Sequence, residues 1–581
     1  MKGSLHYLNH LLIIFVLAGA ALLTLPWLGS KPFHTKGEPR EAITAQAMLA
    51  SGNWILPQRY GNDIATKPPL LHWLIGTFSL GKGEVTEATS RLPSALGYLL
   101  GGMAFFLFVR RNESDAKALV ATFFLLTTLQ WSHGAMAARV DMLLTGCMVW
   151  AFTALYRWEE KQLKGIPWFA VIAMSMATLT KGPVGVVLPC MVLFFFLLLR
   201  GYRFAQLFRA MLLAGLPSVV LPALWYLAAW QTGGDQFLAI VYDENIARFT
   251  GTMRLGGEHR NSNLFLLGTL ISGMMPWSLP ALMAGVKALL ALKKPAPGIL
   301  KRCTTGVQQL AKHKQFSAVA IASILLFYAI PASKRAAYLM PAYPFISLFL
   351  ADLFFRLVGQ KSKIWVLFEK MTGGLMILSV LMITMFTLGW NPSLSLLPEK
   401  EAAVAAFYVE MMHNLYVGAT LPNILVTLLF VSALTLWTLQ RKNAETLIPR
   451  APFLTALFAF LLFLNAFIQP QVGKHLSVQS FAEKIKQQEL PGTTYYTYGR
   501  SCFVMSFYLN HRFLEFPDTE AERGILIIGE KELEKLRTNT GNMYQFSLID
   551  KSPHPYTDIR QTQCRVAFQK ISQPLHPEEQ P

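Results

Sequence analysis

The sequence predicts an α-helical polytopic membrane protein with about thirteen transmembrane helices and a small C-terminal α/β domain. Three observations carry this expectation. Hydrophobic residues make up 53% of the 581 positions and charged residues only 15%. The mean hydropathy is +0.38. The apolar residues also gather into long runs separated by short basic loops, a pattern that stops near Gln469. A soluble domain carries about 25% charged residues, so this chain has no means of covering a water-facing surface along most of its length. Disorder and collagen-like repetition are excluded on the same composition.

A helix needs about 20 largely apolar residues to cross a bilayer. Apolar runs near 8–29, 92–109, 118–132, 141–156, 166–180, 183–199, 210–230, 264–286, 316–332, 338–355, 364–390, 421–439 and 451–468 give the thirteen spans. Two of them, 118–132 and 166–180, are short enough to leave eleven or twelve open. The first run follows Lys2 and resembles a signal peptide. It lacks an Ala-x-Ala-like exit, however, and is as long as a full span, so it is expected to stay as the first helix.

Lys and Arg number 52 against 33 Asp and Glu, a net charge of +19. In a soluble chain that excess would suggest nucleic acid. In a membrane chain, basic residues pin cytoplasmic loops and anionic lipids supply the counter-charge, so no nucleic-acid partner is expected and membrane lipids are. With the N-terminus inside, loops 110–117, 157–165, 200–209, 287–315, 356–363 and 440–450 hold 22 Lys and Arg but only five acids. Glu38, Asp63, Asp243, Glu244 and Glu258 fall on the opposite face. An odd number of spans then leaves the C-terminus outside.

The boundary is expected at 1–468 for the membrane domain and 469–581 for the α/β domain. In the latter, an amphipathic helix at 477–488 precedes β-rich stretches at 493–498, 524–528, 545–549 and 565–569, with a second helix at 530–537. Five cysteines without a CxxC pair point away from a zinc ribbon or a dense disulfide framework. Cys502 and Cys564 are the only two in the C-terminal domain, and both a disulfide between them and two separate thiols remain open.

The chemistry-bearing residues crowd the outer-face loops. The first, 30–91, is too long for a simple connection. It carries His34 to Glu41, Ser51-Gly52-Asn53-Trp54, and Lys67-Pro68-Pro69-Leu70-Leu71-His72-Trp73. Glu41 reads as part of a solvated, helix-capping turn; for Glu38 and Lys67 a solvated loop and a functional site are both open. Later come Arg139 with Asp141, Thr180-Lys181-Gly182-Pro183, Glu244-Asn245 with Arg248-Phe249, Glu258-His259-Arg260, and Ser333-Lys334-Arg335 with Tyr338. One lysine beside headgroups is an interfacial anchor. Lys67, Lys181 and Lys334 together with arginines on the charge-poor face are more than anchors. Such a basic pocket wants a phosphate.

These strings, in this order, resemble the large GT-C membrane glycosyltransferases, in the bacterial branch that contains the lipid A aminoarabinose transferase and relatives of the protein O-mannosyltransferases. The matching stretches are Gly37-Glu38-Pro39-Arg40, Ser51 to Trp54, Lys67 to Leu70 with Trp73, Arg91-Leu92-Pro93-Ser94, Arg139 with Asp141, Lys181-Gly182-Pro183, Glu244-Asn245 with Arg248-Phe249, His259-Arg260, and Ser333-Lys334 with Tyr338, Pro341 and Pro344. The resemblance covers about residues 8–350. It implies a GT-C fold in a bacterial inner membrane, with a cytoplasmic N-terminus and a periplasmic C-terminal domain.

The implied activity is transfer of a sugar, 4-amino-4-deoxy-L-arabinose being the best-known case, from a polyprenyl-phosphate carrier. The acceptor would be lipid A, another envelope glycan or a protein. The resemblance implies that Lys67, Arg260 and Tyr338 contact the carrier phosphate, joined by Lys334. Glu38 and Asp141 supply the carboxylates, and Arg40 orients Glu38. Arg139, Lys181, Glu244, Arg248 and His259 support them. Three sites depart from the family pattern, one being Leu71-His72 in place of a more usual aromatic pair that would grip sugar or lipid. Gly37 stands where many members carry Asp, and Thr66 stands where a Glu linked to metal binding is common. His259 is thus either a ligand of a divalent metal or a hydrogen-bond donor, and no other cofactor is implied. The competing expectations are a flippase for lipid-linked sugars, which needs polar residues along a path through the bilayer, and a structural or sensor protein, which leaves the 30–91 loop without a purpose.

Overall fold

A computed structural model of the chain describes residues 2–571 except 61–62, 253–260, 292–305, 441–449, 489–491, 499–501, 517–520 and 553–561. Each of the thirteen apolar runs falls on helix. Among the described residues, six helices are long and apolar enough to cross a membrane, or up to eight if each of two bent pairs is one span. Trp168–Lys181 and Val184–Leu199 are apolar but shorter. The run at 118–132 is two helices, Asp115–Leu126 and Leu129–Ala135. The Thr127 and Thr128 hydroxyls donate to the carbonyls of Phe123 and Leu125, closing the first helix. The run at 264–286 likewise divides into Asn263–Gly273 and Ser278–Ala291, bent by 117° around Pro276, which has no N–H to continue a helix.

Helices Glu87–Asn112 and Val140–Glu160 form the most intimate pair. A Cβ at Gly97 would lie 2.7 Å from the carbonyl oxygen of Met142, and one at Gly146 only 2.4 Å from that of Gly97. Small residues allow backbones to approach like this where lipid gives helices no hydrophobic reason to associate. Across the contact the Ser94 hydroxyl, in the first turns of one helix, donates to the Arg139 carbonyl just before the other.

The 30–91 segment is folded. Helix Gly37–Ser51 packs on helix Leu70–Ser79, and Gln58–Arg59 pairs antiparallel with Asp63–Ile64. The C-terminal part builds a five-stranded mixed sheet in the order Phe513–Glu515, Tyr495–Thr497, Arg523–Gly529, Gln563–Lys570, Tyr544–Lys551. Four of its strands fall in the stretches expected from the sequence; the edge strand Phe513–Glu515 and helix Phe503–Leu509 were not expected. Helices Gln479–Gln488 and Phe503–Leu509 dock it on the 30–91 segment. Phe33 and Phe507 meet edge to face at 4.9 Å, Ser477 donates to the Phe33 carbonyl, and the Tyr508 hydroxyl donates to Glu87 at 2.7 Å.

Cys502 and Cys564 are not bonded to each other. The thiols belong to opposite faces of the sheet. Cys502 packs with Tyr495, Val504 and Ile527, and Cys564 with Leu526, Ile528 and Val566. Of the two readings left open by the sequence, separate thiols is the one realised. Alkylation of unfolded protein without reductant should label both; recovery of a linked Cys502–Cys564 peptide would contradict this arrangement.

Candidate functional site

Five charged groups, Lys67, Glu244, Arg248, Lys181 and Asp141, converge at the end of the helix bundle that carries the C-terminal domain. Lys67 is presented by Thr66-Lys67-Pro68-Pro69, whose prolines fix the backbone as it enters helix Leu70–Ser79. Its ammonium pairs with Glu244. Glu244 accepts with its other oxygen from Arg248 at 2.8 Å, one helical turn on. Burial pulls the Lys67 ammonium down to about 8, against the attraction of Glu244 and with Arg248 and Lys181 adding like charge. The same cations hold the Glu244 carboxyl below its ordinary range despite burial.

Lys181 ends helix Trp168–Lys181. Gly182 then turns the chain at φ +88°, and a Cβ there would sit 2.7 Å from Asn245 Oδ1. The turn therefore requires glycine twice over, for its dihedral and for its neighbour. Lys181 Nζ donates to Asp141 Oδ1 at 2.5 Å and lies 4.2 Å from the centre of the Tyr338 ring. Tyr338 itself stacks on Tyr328 at 5.0 Å. Arg139 and Arg335 add positive charge around Asp141.

Two cavities meet here. One runs from Ala65–Pro68 to Trp225, Tyr226 and Phe237. The other, about 360 Å³, is lined by Pro183, Val187, Arg248, Phe249, Phe327, Ser333 and Tyr338. Lys181, Glu244 and Asn245 belong to both. A polar floor with apolar walls suits an anionic headgroup on a hydrocarbon chain.

Glu38 lies apart from these cavities. Its carboxylate is buried and accepts from Arg91 Nε at 2.8 Å, Arg91 Nη2 at 3.3 Å and the Ala138 amide at 3.0 Å. The remaining Arg91 nitrogen donates to the carbonyls of Leu28 and Lys31. All three nitrogens of that guanidinium are thereby engaged with chain segments it ties together. The Arg91 charge and these hydrogen bonds outweigh desolvation and hold the Glu38 carboxyl at about 2.

Arg40 does not orient Glu38. Residues two apart on a helix face different ways, so Arg40 turns to Glu41, at 2.7 Å, while Glu38 faces Arg91. Nor is Glu41 a solvated cap. It is buried between Arg40 and His72, whose Nε2 lies 2.8 Å from Oε2. Lys334 is also placed otherwise than expected: its buried ammonium donates to the Pro331 carbonyl at 2.5 Å. A carbonyl just past the helix Lys312–Ala329 lacks a helical partner, and a following lysine satisfies it. Arg260 and His259 lie outside the described residues. Among the described residues no three His, Cys, Asp or Glu side chains gather as a metal site needs.

The site includes residues not singled out from the sequence. Arg91 stood only as part of a matching string, and Asn245, Tyr226, Tyr328 and Arg335 had no role. Asn245 too stood in a matching string and Arg335 in the cluster with Lys334, whereas Tyr226 and Tyr328 lie inside apolar runs that gave no signal.

The paired state of Glu38 has a pH consequence. A carboxyl whose folded pKa is depressed contributes stability above its unfolded pKa, near 4.3, and loses it as pH falls toward the folded value of about 2. Thermal unfolding in detergent should therefore show a stability loss between about pH 4.5 and 2 that is smaller in Glu38→Gln. Identical pH slopes for the two proteins would show that Glu38 gains nothing from Arg91.

Comparison with known proteins agrees with the resemblance read from the motifs. Residues 66–226 match the family described as dolichyl-phosphate-mannose-protein mannosyltransferase. An uncharacterised Aquifex aeolicus protein is 26% identical over 343 residues, 58% of this chain and 63% of that one. The undecaprenyl phosphate-alpha-4-amino-4-deoxy-L-arabinose arabinosyl transferase of Edwardsiella ictaluri is 25% identical over 334 residues, covering 56% of each chain. The chain thus spans less than two thirds of the length of these curated relatives. The crystal structure of ArnT from Cupriavidus metallidurans bound to undecaprenyl phosphate superposes with a TM-score of 0.68 over 96% of this chain and 97% of that one, at 18% identity. The fold is that of ArnT.

Proposed function

From an ArnT fold and a mannosyltransferase-family segment that contains Lys67, Asp141 and Lys181, we propose that the chain is a membrane glycosyltransferase using a polyprenyl-phosphate-linked sugar. The observation that carries the proposal is the convergence of Lys67, Lys181 and Arg248 on cavities with apolar walls. Cations so placed stabilise the charge that develops on the departing phosphate oxygen. In the reaction, the bond from the anomeric carbon to that oxygen breaks and a bond from the anomeric carbon to an acceptor oxygen forms. The acceptor proton goes to a carboxylate, and polyprenyl phosphate leaves.

Asp141 is the carboxylate we assign to that proton. Once the phosphate draws on Lys181, which lines both cavities, the Asp141 oxygen that Lys181 held is released to take the proton. Glu38 serves instead as a strut that ties the 30–91 segment to helix Glu87–Asn112. Tyr338 holds the Lys181 ammonium against its ring.

In this reading the membrane is a bacterial inner membrane, and the charged cluster and C-terminal domain face the periplasm. The donor sugar named by the relatives, 4-amino-4-deoxy-L-arabinose, is the first candidate, with lipid A the acceptor implied by the resemblance. A protein acceptor is the second reading, favoured by the matched family's description. The test uses full-length protein in lipid vesicles with a labelled undecaprenyl-phosphate-linked sugar and either lipid A or envelope protein. Label in one acceptor with equivalent release of undecaprenyl phosphate is expected; intact donor in every combination would overturn the proposal.

A further inference from the structure

Glu244 bridges two of the site's cations. One of its oxygens meets the Lys67 ammonium and the other accepts from Arg248 Nη2, the bidentate pattern by which a phosphate is held between a lysine and an arginine. It also stands where the two cavities adjoin. The backbone beneath it is irregular. Helix Phe204–Tyr242 is interrupted at Gly234 (φ 54°, ψ −144°), and Asp243–Ala247 forms a π-helical turn. Such a turn holds one residue more than an α-turn and is frequent at functional sites. Asp141, by contrast, is fixed in the first turn of a regular helix.

Resting on the reading of Lys67 as a phosphate ligand, we propose that Glu244 is an exchangeable counter-ion: its carboxylate fills the phosphate position in the empty site, yields it when the donor binds, and returns to drive out the product. Charge supports the cycle. The sugar-linked donor is a phosphodiester with one negative charge, so it replaces one carboxylate charge with another. After transfer the carrier is a monoester, which bears up to two charges at neutral pH because its second pKa is near 6. Glu244 lies one helical turn from Arg248 on the same backbone, so after yielding the position its charge remains close and opposes that extra charge. Between turnovers the same carboxylate keeps Lys67 paired, and a half-buried cation is not left alone.

The test is binding of undecaprenyl phosphate to full-length protein in nanodiscs, with steady-state transfer measured alongside. Glu244→Gln removes the competing charge and should bind undecaprenyl phosphate about tenfold tighter or more, the scale of coupling between close charges at partly buried sites. Its KM should fall and its kcat should also fall, because product leaves slowly; a structural lesion would raise KM instead. Glu244→Asp keeps the charge on a shorter arm and should shift binding in the same direction by less, which covers a failure of Glu244→Gln to fold. Unchanged or weaker binding in either folded variant overturns the proposal. Lys67→Gln separates this from the underlying reading: it should lose binding, and wild-type affinity there would mean that the phosphate sits elsewhere.

Discussion

Lys67→Ala is expected to lower transfer at saturating donor by about 10²–10³-fold, the scale for removing one preorganised group from a developing oxyanion. The ammonium is held half-buried in a rigid Pro-Pro frame and pulled down to about 8 by burial, so it is spent on the site and not on solvent. Its removal leaves Glu244 with Arg248 still in place, so the fold should survive and the loss should appear in kcat as well as in donor binding. Near-wild-type turnover in folded Lys67→Ala protein would remove Lys67 from the phosphate site. Partial rescue by Lys67→Arg would be consistent with a charge requirement, although the planar fork is a poor copy of a point charge.

Asp141→Asn should lower kcat by about 10²–10⁴-fold, the range for a general base, with little change in donor affinity. Glu38→Gln should leave kcat within about tenfold of wild type while lowering thermal stability, because its carboxylate is occupied by Arg91 and the Ala138 amide. The structural distinction is that the Asp141 carboxylate accepts from Lys181, which itself lines both cavities, whereas Glu38 accepts from Arg91 and the Ala138 amide, neither of which lines them. An active Asp141→Asn and an inactive but stable Glu38→Gln would reverse the two assignments.

The helices were legible because apolar length is a local property, and four of the five sheet strands because alternation has a short period; the three-residue edge strand Phe513–Glu515 is too short to show one. The places where spans break were less so. Thr127 and Thr128 end a helix by side-chain bonding that hydropathy does not register. Of the site, the residue types could be read but not their partners. Glu38 and Arg91 are 53 positions apart, Asp141 and Lys181 are 40, and Lys67 and Glu244 are 177. Proximity along the chain suggested Arg40 for Glu38, and helical geometry sends it to Glu41. For Lys334 the deciding partner was a backbone carbonyl, which no side-chain pattern encodes.

Gly37 carries a further lesson about the departure from the family pattern. A Cβ at position 37 would lie 2.4 Å from Arg139 Nη2, so the glycine leaves room that the arginine occupies. The missing carboxylate and the placement of Arg139 belong to one local arrangement, and the charge of that arginine acts on Asp141.

The most direct test of the central claim is an experimental structure of the full chain in nanodiscs with undecaprenyl phosphate. The account predicts phosphate density within hydrogen-bond distance of Lys67 Nζ, flanked by Arg248 and Lys181, with the polyprenyl chain leaving past Phe249 and Phe327. Phosphate density at any other position, with the Lys67–Glu244 pair intact, would contradict it.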